Sequence, residues 1–361
     1  MRVSVAMATY MGSAYVLEQL SSILEQSTLP AEVVICDDHS SDNTVQLITD
    51  FARNSIVPIR LFVNEERLGW RGNFMKAASL CESELIAFCD QDDIWDRRKV
   101  ESIIAGFVHD ETLMVFHDAT IVGTDLTPIR PFLQGGDEPD RANALERGPW
   151  RDVYGFTMAF RSELLALWTH WPSSLDKSVG RQRAAHDQWL LFLGSALGTT
   201  LHLQEPLALY RQHDYNAVGV KDAFRRTSRT DGLFKRRDVI SLHLVVLDSR
   251  IGTLREMVRH QDRFARAAAS ALKAYDSYRE RLALQSVIYN SSSLHSRLRS
   301  FATLLSRRSY SRNVWALGRL QILDDCVAAL LGPTGLGRLK SIDARRATGR
   351  SRLPSLRDRS H

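Results

Sequence analysis

Apolar runs alternate with helical patterns over residues 1–90 of the chain. Runs of five or six apolar residues predict buried strands, and leucine or isoleucine at three- and four-residue spacing predicts helices. The predicted strands are Val3–Ala8, Glu32–Cys36, Ile59–Val63 and Leu85–Cys89. The predicted helices between them are Ala14–Glu25, Thr44–Arg53 and Asn73–Ser79. This alternation predicts an α/β fold, with a mostly parallel sheet and helices on both of its faces.

Polar side chains follow three of these strands at the point where each ends. They are Thr9-Tyr10, Asp37-Asp38 and Asp90-Gln91-Asp92-Asp93. Ligands of such sheets bind beyond the carboxyl ends of the strands. Carboxylates gathered there repel one another unless a cation offsets them, and oxygen ligands suit Mg²⁺ or Mn²⁺. The alternative is that the two aspartate pairs cap the helices that follow them.

The pattern changes after residue 220. Strand patterns give way to two predicted helices, Val239–Arg259 and Asp262–Val287. Beyond them, apolar and basic residues share a further helical pattern: Leu294, Leu298, Phe301 and Leu305 on one face, beside Arg297, Arg299, Arg307 and Arg308. Such a helix lies on a membrane surface, or it packs on the catalytic domain and leaves its arginines in solvent. Residues 341–361 are polar and rich in arginine, which predicts disorder.

The overall composition is that of a soluble globular protein, with 44% hydrophobic and 25% charged residues. No apolar run approaches the roughly 18 residues of a membrane-spanning helix, and the first ten residues do not resemble a secretory signal. The four cysteines are too few and too irregularly spaced for a disulfide framework or a zinc site. We therefore expect a cytoplasmic protein.

Charge divides the chain into two parts. Residues 1–220 carry 18 lysines and arginines against 30 acids, whereas residues 221–361 carry 29 against 12. The predicted organisation is a catalytic domain over 1–220, a basic helical extension over 221–340 and a disordered tail over 341–361. The basic part could face an anionic membrane. Nucleic-acid binding is not expected, because aromatic residues are not interleaved with the arginines.

Six motifs resemble a known family. The runs VSVAMATYMG, VVICDDHSSDNT and LIAFCDQDDIW resemble the inverting family 2 glycosyltransferases, which have the GT-A fold. The CDQDDIW form is especially similar to bacterial rhamnosyltransferase-like members that build surface polysaccharides. The resemblance continues through GFTMAF, HDQWLLFLGSALG and PLALYRQHDYNAVG. It covers nearly all of residues 1–220, in the order that the family shows.

The resemblance implies a site for a UDP- or dTDP-sugar donor. Its expected residues are Ala8, Thr9, Tyr10, Asp38, Arg71, Asp90 and Arg211. Asp38 would accept the imino N–H of the base, on which Tyr10 could stack. Asp90 would bind the ribose, and Arg211 could pair with the phosphates. Arg71 would reach the base or the diphosphate, unless it is a solvated arginine of its loop.

The resemblance also implies a divalent cation, Mg²⁺ or Mn²⁺, that offsets charge on the departing nucleoside diphosphate. Asp92 would ligate it, and His213 would either complete the coordination or be a structural histidine. The expected residues around the acceptor, or supporting the residues that touch the substrates, are Asp93, Trp95 and His186. Trp95 would form the floor of the sugar pocket, or it would pack as an ordinary aromatic residue.

Inverting transfer needs a base that deprotonates the acceptor hydroxyl. By resemblance this is Asp187, which falls in the first turn of a helix predicted through Trp189–Leu197. The helix dipole is expected to lower its pKa. The alternative is that Asp187 is only a favourable first-turn acid.

The chain departs from the family pattern at two positions. Met11 stands where Asn is usual, and His39 where Gly is common. Neither touches the expected contacts, but His39 is predicted to need a backbone conformation that glycine adopts more easily.

The sequence thus predicts a metal-dependent inverting glycosyltransferase of surface polysaccharide biosynthesis, whose acceptor is a saccharide, free or lipid-linked. It would be cytoplasmic, and peripheral on the inner face of the membrane if the basic helices bind there. One alternative is a sugar nucleotidyltransferase, but MATYMGSAY lacks that class's glycine-rich basic loop. The other is a non-catalytic saccharide- or nucleic-acid-binding protein, against which Asp90, Asp92 and Asp187 argue.

Overall fold

The structure is a computed structural model that describes residues 1–134, 139–213, 229–261, 263–310, 315 and 321–350, with backbone only at 229–234 and 337–350. The strands are β1 Val3–Thr9, β2 Glu32–Asp37, β3 Ile59–Val63, β4 Leu85–Cys89, β5 Ile94–Trp95, β6 Thr112–Val122, β7 Pro128–Phe132, β8 Arg141–Ala142, β9 Met158–Arg161 and β10 Thr199–Arg211. The helices are α1 Val16–Leu24, α2 Thr44–Ala52, α3 Gly69–Ser79, α4 Lys99–Gly106, α5 His186–Leu197, α6 Arg229–His260, α7 Ala265–Asn290, α8 Leu294–Ser306 and α9 Gln321–Arg350. Two 3-10 segments span Gly155–Thr157 and Ser162–Ser173.

The sheet runs in the order β3-β2-β1-β4-β9-β6-β10-β5, and β7 and β8 pair at its side with β6 and β10. The first four strands are parallel, as predicted. The second half is mixed, because β9 enters antiparallel between β4 and β6, while β6 and β10 are again parallel to each other. The predicted α/β class with a C-terminal helical extension is confirmed, with fewer parallel pairings than expected.

Helices cover both faces of the sheet. Alternate β1 residues such as Val5 and Met7 pack in one buried cluster with side chains of α1, α2 and α4. The opposite face meets α3, where the ring centroids of Phe74 and Phe88 lie 5.4 Å apart. Strands buried on both faces need near-continuous apolar sequences, which explains the runs that identify them.

The direction of the strands places their polar ends together. Strands β1, β2 and β4 run parallel, and β9 is antiparallel to both β4 and β6. Strands β6 and β10 therefore run in the same direction as β4, so that the carboxyl ends of all five strands lie at one edge of the sheet. The segments that follow these strands are the ones that can build a common site.

The chain forms two compact units, Met1–Val220 with Ser249–Leu272, and Lys221–Asp248 with Lys273–His361. The second unit has its own apolar cluster, which includes Ile288 and Leu304. The last helix turns at Gly332, whose φ of +63° suits glycine, and continues to Arg350, into the segment predicted as a tail. Residues 351–361 lie outside the described residues, and the predicted domain boundaries stay predictions.

No helix in the described part of the chain is long and apolar enough to cross a membrane.

Candidate active site

The loop after β4 carries the predicted metal-binding carboxylate. Asp92 and Asp93 are buried and Asp90 is half-buried. Oδ2 of Asp92 lies 2.8 Å from Nε2 of His213, which follows β10. The two residues predicted to bind the cation, 121 positions apart in the chain, are therefore in direct contact.

Arg211 holds this loop in place. Its Nε donates to the backbone carbonyl of Asp92 at 2.9 Å, and its backbone N–H donates to Oδ1 of Asp93 at 3.2 Å. One terminal nitrogen donates to the carbonyl of Thr124 at 2.9 Å, and the other to the carboxylate of Glu18. The side chain is buried. A contact with donor phosphates stays a prediction for Arg211, whose observed contacts are those of a positioning residue.

Burial raises the pKa of Asp93 well above its ordinary value, and the nearby Asp92 and Asp90 carboxylates add to this. Its Oδ2 is buried without a hydrogen-bond partner among the described residues. The pKa of Asp90 is also raised, first by burial and then by the charges of Asp92 and Asp187. The carboxylates of Asp90, Asp92 and Asp93 lie close enough together to repel one another, as expected of a site that receives a cation.

Asp38 lies at the start of α3. Its Oδ1 accepts from the Leu68 N–H at 2.6 Å and from Nδ2 of Asn64 at 3.0 Å, and its Oδ2 accepts from the Gly69 N–H at 2.9 Å. Asp38 therefore caps a helix, although not the one that directly follows it in sequence. Its predicted contact with a base is not tested by this geometry.

Asp37 joins the ends of two strands. Its carboxylate accepts from the hydroxyl of Thr9 at 2.8 Å, and from the backbone N–H and the hydroxyl of Ser40 at 2.7 and 2.6 Å. Asp37 is fully buried. Its contacts therefore shape the loop after β2, which leads to Asp38.

The loop after β1 is fastened to the loop after β4. The backbone N–H and carbonyl of Tyr10 bond with the side-chain amide of Gln91 at 2.9 and 3.0 Å. The Tyr10 ring is exposed, and the guanidinium carbon of Arg67 lies 3.8 Å from its centroid. The preceding Ala8 is partly exposed. Three of the predicted base-binding residues, Ala8, Thr9 and Tyr10, thus border the acidic loop.

Both residues that depart from the family pattern have an unusual backbone conformation. Met11 has φ +51° and His39 has φ +65°, in the left-handed region where Asn and Gly are the favoured residues. The predicted demand on His39 is confirmed, and the same reason accounts for the usual Asn at the position of Met11. The Nδ1 atom of His39 lies within hydrogen-bond distance, 3.1 Å, of the carbonyl oxygen of Asn64.

Arg71 forms an ion pair. Its guanidinium donates to Oδ2 of Asp176 at 2.9 Å and lies over the Trp70 ring. Asp176 begins the segment that leads into α5, and its Oδ1 accepts from the backbone N–H groups of Ser178 and Val179. Arg71 is therefore not a solvated loop arginine. It pins the segment before α5, and its reach toward a nucleotide stays a prediction.

His186, the first residue of α5, is buried among aromatic rings. It stacks on Phe74 at 4.2 Å and meets Phe88 edge-on at 4.6 Å. Burial lowers its pKa to about 3, so its ring is neutral. A Cβ at Gly155 would lie 2.3 Å from Nε2 of His186, which explains the glycine of the GFTMAF motif. The packed ring fixes the start of α5, as expected of a residue that supports the site.

Asp187 occupies the first turn of α5, as predicted. Burial raises its pKa to about 6. The backbone N–H groups of Gln188 and Gly155 and the charge of Lys177 act in the opposite direction but do not outweigh burial. The expectation of a lowered pKa at this helix start was wrong. A carboxylate with a pKa near 6 remains ionised at neutral pH and is a stronger base than an ordinary aspartate.

The sheet register explains why Asp187 lies near the acidic loop. Ala87 pairs with Ala159 in the antiparallel β4–β9 pair, so the 3-10 turn before β9 lies at the end of β4. The backbone N–H of Gly155 in that turn bonds with Asp187. The charge of Asp187 raises the pKa of Asp90, as expected if the two carboxylates share one site.

Lys99 is a site residue that the sequence did not indicate. It is completely buried, its Nζ donates to the carbonyl of Phe156 at 2.8 Å, and it lies 3.9 Å from the centroid of Trp95. Burial lowers its pKa to about 8, whereas the charges of Cys89, Asp93 and Asp90 raise it. Lys99 thus places a positive charge behind the acidic loop. Trp95 is buried in the core cluster, so it packs as an ordinary aromatic residue.

The residues present fit a divalent cation bound together with a diphosphate. Asp92 and His213 offer one carboxylate and one imidazole, a donor pair that suits Mn²⁺ and is compatible with Mg²⁺. No group of three or more His, Cys, Asp or Glu in the described residues could hold a metal alone. Phosphate oxygens and water would complete the coordination, as is usual for Mg²⁺ at substrate phosphates.

Comparison with known proteins identifies the domain that carries the Asp90–Asp93 loop. Residues 4–168 match the family model for glycosyl transferase family 2. The chain carries a family 2 glycosyltransferase domain. The predicted resemblance and the prediction of a glycosyltransferase are thereby confirmed. Asp187, His213 and Arg211 lie beyond the matched residues, and their roles stay predictions.

Two individual relatives match the chain at low identity. The dTDP-rhamnosyl transferase RfbG of Shigella flexneri is 26% identical over 245 residues, which are 64% of this chain and 80% of the relative. The UDP-Glc:alpha-D-GlcNAc-diphosphoundecaprenol beta-1,3-glucosyltransferase WfgD of Escherichia coli is 30% identical over 123 residues, 34% of this chain and 47% of the relative. The solved structure of S. aureus TarS 1-349 with UDP-GlcNAc covers 90% of this chain and 89% of its own, at 17% identity and TM-score 0.44.

Proposed function

We propose that this protein is a metal-dependent inverting glycosyltransferase of polysaccharide biosynthesis, which transfers a sugar from a UDP- or dTDP-sugar to a saccharide acceptor. The observation that carries the proposal is the meeting of three distant segments at one sheet edge. The Asp90–Asp93 loop, His213 after β10 and Asp187 on α5 come together there. A pair of residues that can bind a cation on one side and a carboxylate base on the other are what transfer with inversion needs.

The reaction assigned to these residues is a single displacement. The acceptor oxygen forms a bond to the anomeric carbon as its proton passes to the Asp187 carboxylate, and the bond from that carbon to the diphosphate oxygen breaks. Asp92 and His213 would hold the cation, which when bound offsets charge on the diphosphate leaving group. Thr9, Tyr10 and Asp38 would hold the base, and Asp90 the ribose. Arg211 and Lys99 would keep the acidic loop in place.

The donor and the acceptor are proposed from the relatives. One relative is named for dTDP-rhamnosyl transfer and another for UDP-glucose, which supports a UDP- or dTDP-sugar and favours rhamnose. The second is named for an acceptor carried on diphosphoundecaprenol, which supports a lipid-linked saccharide. A lipid-linked acceptor would bring this protein to the inner face of the cell membrane.

Incubation with a panel of nucleotide sugars, Mn²⁺ or Mg²⁺ and saccharide acceptors should release a nucleoside diphosphate from one UDP- or dTDP-sugar. Release should stop when a chelator removes the metal, because no cation then offsets the charge that develops on the departing diphosphate. Nucleoside diphosphate and pyrophosphate are measured in parallel. Pyrophosphate as the product would instead favour a sugar nucleotidyltransferase, and metal-independent release would contradict the assigned cation.

The rate of transfer should fall as the pH is lowered through about 6. Burial raises the pKa of Asp187 to about 6, and a base acts only while it is ionised. The turnover number kcat, measured with saturating metal, donor and acceptor between about pH 5 and 8, should therefore show an ascending limb near pH 6. A limb near pH 4, typical of an exposed aspartate, or a flat profile would contradict the assignment of the buried Asp187 as the base.

A further inference from the structure

Helices α8 and α9 pack against each other, and each also presents a row of leucines to solvent. On α8, Leu294, Leu298 and Leu305 are 49%, 40% and 44% exposed. The row on α9 comprises Leu323, Leu330 and Leu331, with 60%, 59% and 41% exposure. These six side chains are called the two leucine rows. Rows of exposed apolar side chains along a helix are typical of sites of interaction.

The leucine rows take no part in the core of their unit. Leu304 and Ala328 fill the apolar cluster of this unit, on other sides of the two helices. The buried Arg297 ties the helices together, because its Nε donates to the carbonyl of Ala329 at 2.8 Å. The fold of the pair is therefore satisfied without the six exposed leucines, which leaves them available to a partner.

The surroundings of the rows are strongly basic. Residues 281–323 contain seven arginines and no Asp or Glu. Arg297 is buried among them, whereas Arg299, Arg307 and Arg308 are exposed, and Arg307 pairs with Glu280 at 3.1 Å. The next two acids are engaged inside the unit: Asp324 pairs with Arg236 at 3.3 Å, and the buried Asp325 accepts hydrogen bonds from Tyr289 and Tyr310. A partner that covers this surface must accept both leucine side chains and positive charge.

We propose that the two leucine rows bind an anionic lipid surface, with the leucines entering the interfacial layer and the neighbouring arginines facing lipid phosphates. Helices that combine exposed apolar rows with basic residues bind membranes in this way. A second copy of the chain fits less well, because it would bring the same arginine-rich segment against itself. Nucleic acid fits less well, because it offers no apolar layer to the leucines. The inference does not depend on the proposed activity.

The test uses the full chain and vesicles of phosphatidylcholine alone or with about one third phosphatidylglycerol, sedimented at low and high salt. The wild-type chain should sediment with the anionic vesicles, several-fold less at high salt, and only weakly with the neutral ones. The variant Leu298→Ser/Leu305→Ser should reduce the partitioning about a hundredfold, since burial of each leucine side chain supplies about a factor of ten. The variant Leu330→Ser tests the α9 row separately.

The matched control is Ile56→Ser/Val108→Ser. These residues are 73% and 72% exposed, more than any leucine of the rows, and lie in the first unit. The control should bind vesicles like the wild-type chain. Because all replaced residues are exposed, each variant should unfold at the wild-type temperature and should keep wild-type turnover on a water-soluble acceptor.

Three outcomes would overturn the proposal. The first is sedimentation with neither kind of vesicle, and the second is equal binding to neutral and anionic vesicles. The third is a dimer in light scattering that the Leu298→Ser/Leu305→Ser variant abolishes, which would make the rows an interface between copies. An inactive enzyme that still binds anionic vesicles would count against the proposed function and leave this inference standing.

Discussion

Asp187→Asn should lower turnover by roughly 10²–10⁴-fold, the usual contribution of a positioned base, while leaving donor affinity almost unchanged. The base acts on the acceptor hydroxyl during attack and does not hold the nucleotide. Asparagine keeps the size of the side chain and its contact with backbone N–H groups, but it cannot take up a proton. The measurements are kcat with the true acceptor and calorimetric binding of UDP or dTDP with Mn²⁺.

Asp50→Asn is the matched control, the same chemical change at an exposed position of α2. It should leave both kcat and nucleotide affinity at wild-type values. If Asp187→Asn kept near-normal turnover, the base would have to be another carboxylate, and Asp93 would be the next to test. A parallel loss of nucleotide affinity would instead place Asp187 in the donor site.

Much of the first half of the fold follows from the sequence alone. Ile59–Val63 and Leu85–Cys89 are observed with the bounds that their apolar runs predict. Strands buried on both faces need such runs, so the signal is local. The short strands were not predictable in the same way. β5 has only two residues, Ile94 and Trp95, and exists because they pair with β10, more than a hundred positions later.

The sequence predicts which residues belong to the site better than it predicts the contacts that these residues make. Asp92 and His213 were expected to bind the same cation, and the structure brings the two side chains into contact. The partner of Arg71 was not predictable, because Asp176 lies 105 positions away and only the tertiary fold brings the two together. Lys99 was overlooked because it follows Arg97 and Arg98, and a run of basic residues suggests a solvated surface. Its complete burial depends on the packing of α4.

The pKa of Asp187 shows how burial can reverse a local argument. Its place at the start of α5 favours the ionised form by the dipole and by the backbone N–H of Gln188. The loss of solvent around the carboxylate favours the protonated form, and this effect is larger. A sequence indicates where a helix starts, but not how deeply its first turn is buried.

Asp92→Ala should abolish metal-dependent nucleotide binding and turnover together, in contrast to Asp187→Asn. Asp92 supplies the carboxylate of the proposed cation site, and its partner His213 alone offers only one ring nitrogen. The cation contributes several kcal/mol to charge stabilisation in the leaving group, so kcat should fall by at least about a hundredfold. Calorimetry with UDP or dTDP, with and without Mn²⁺, should give the same weak affinity for the variant in both conditions.

The control for this variant is Asp110→Ala, which removes the same side chain from a fully exposed position and should keep the metal dependence of the wild-type chain. His213→Gln should give an intermediate loss, because it leaves the carboxylate ligand in place. Thermal unfolding of each variant separates a lost ligand from a lost fold. Unchanged metal-dependent affinity in folded Asp92→Ala would refute Asp92 as the ligand, and since Asp90 and Asp93 are the other carboxylates of the same loop, they would then be the residues to replace next.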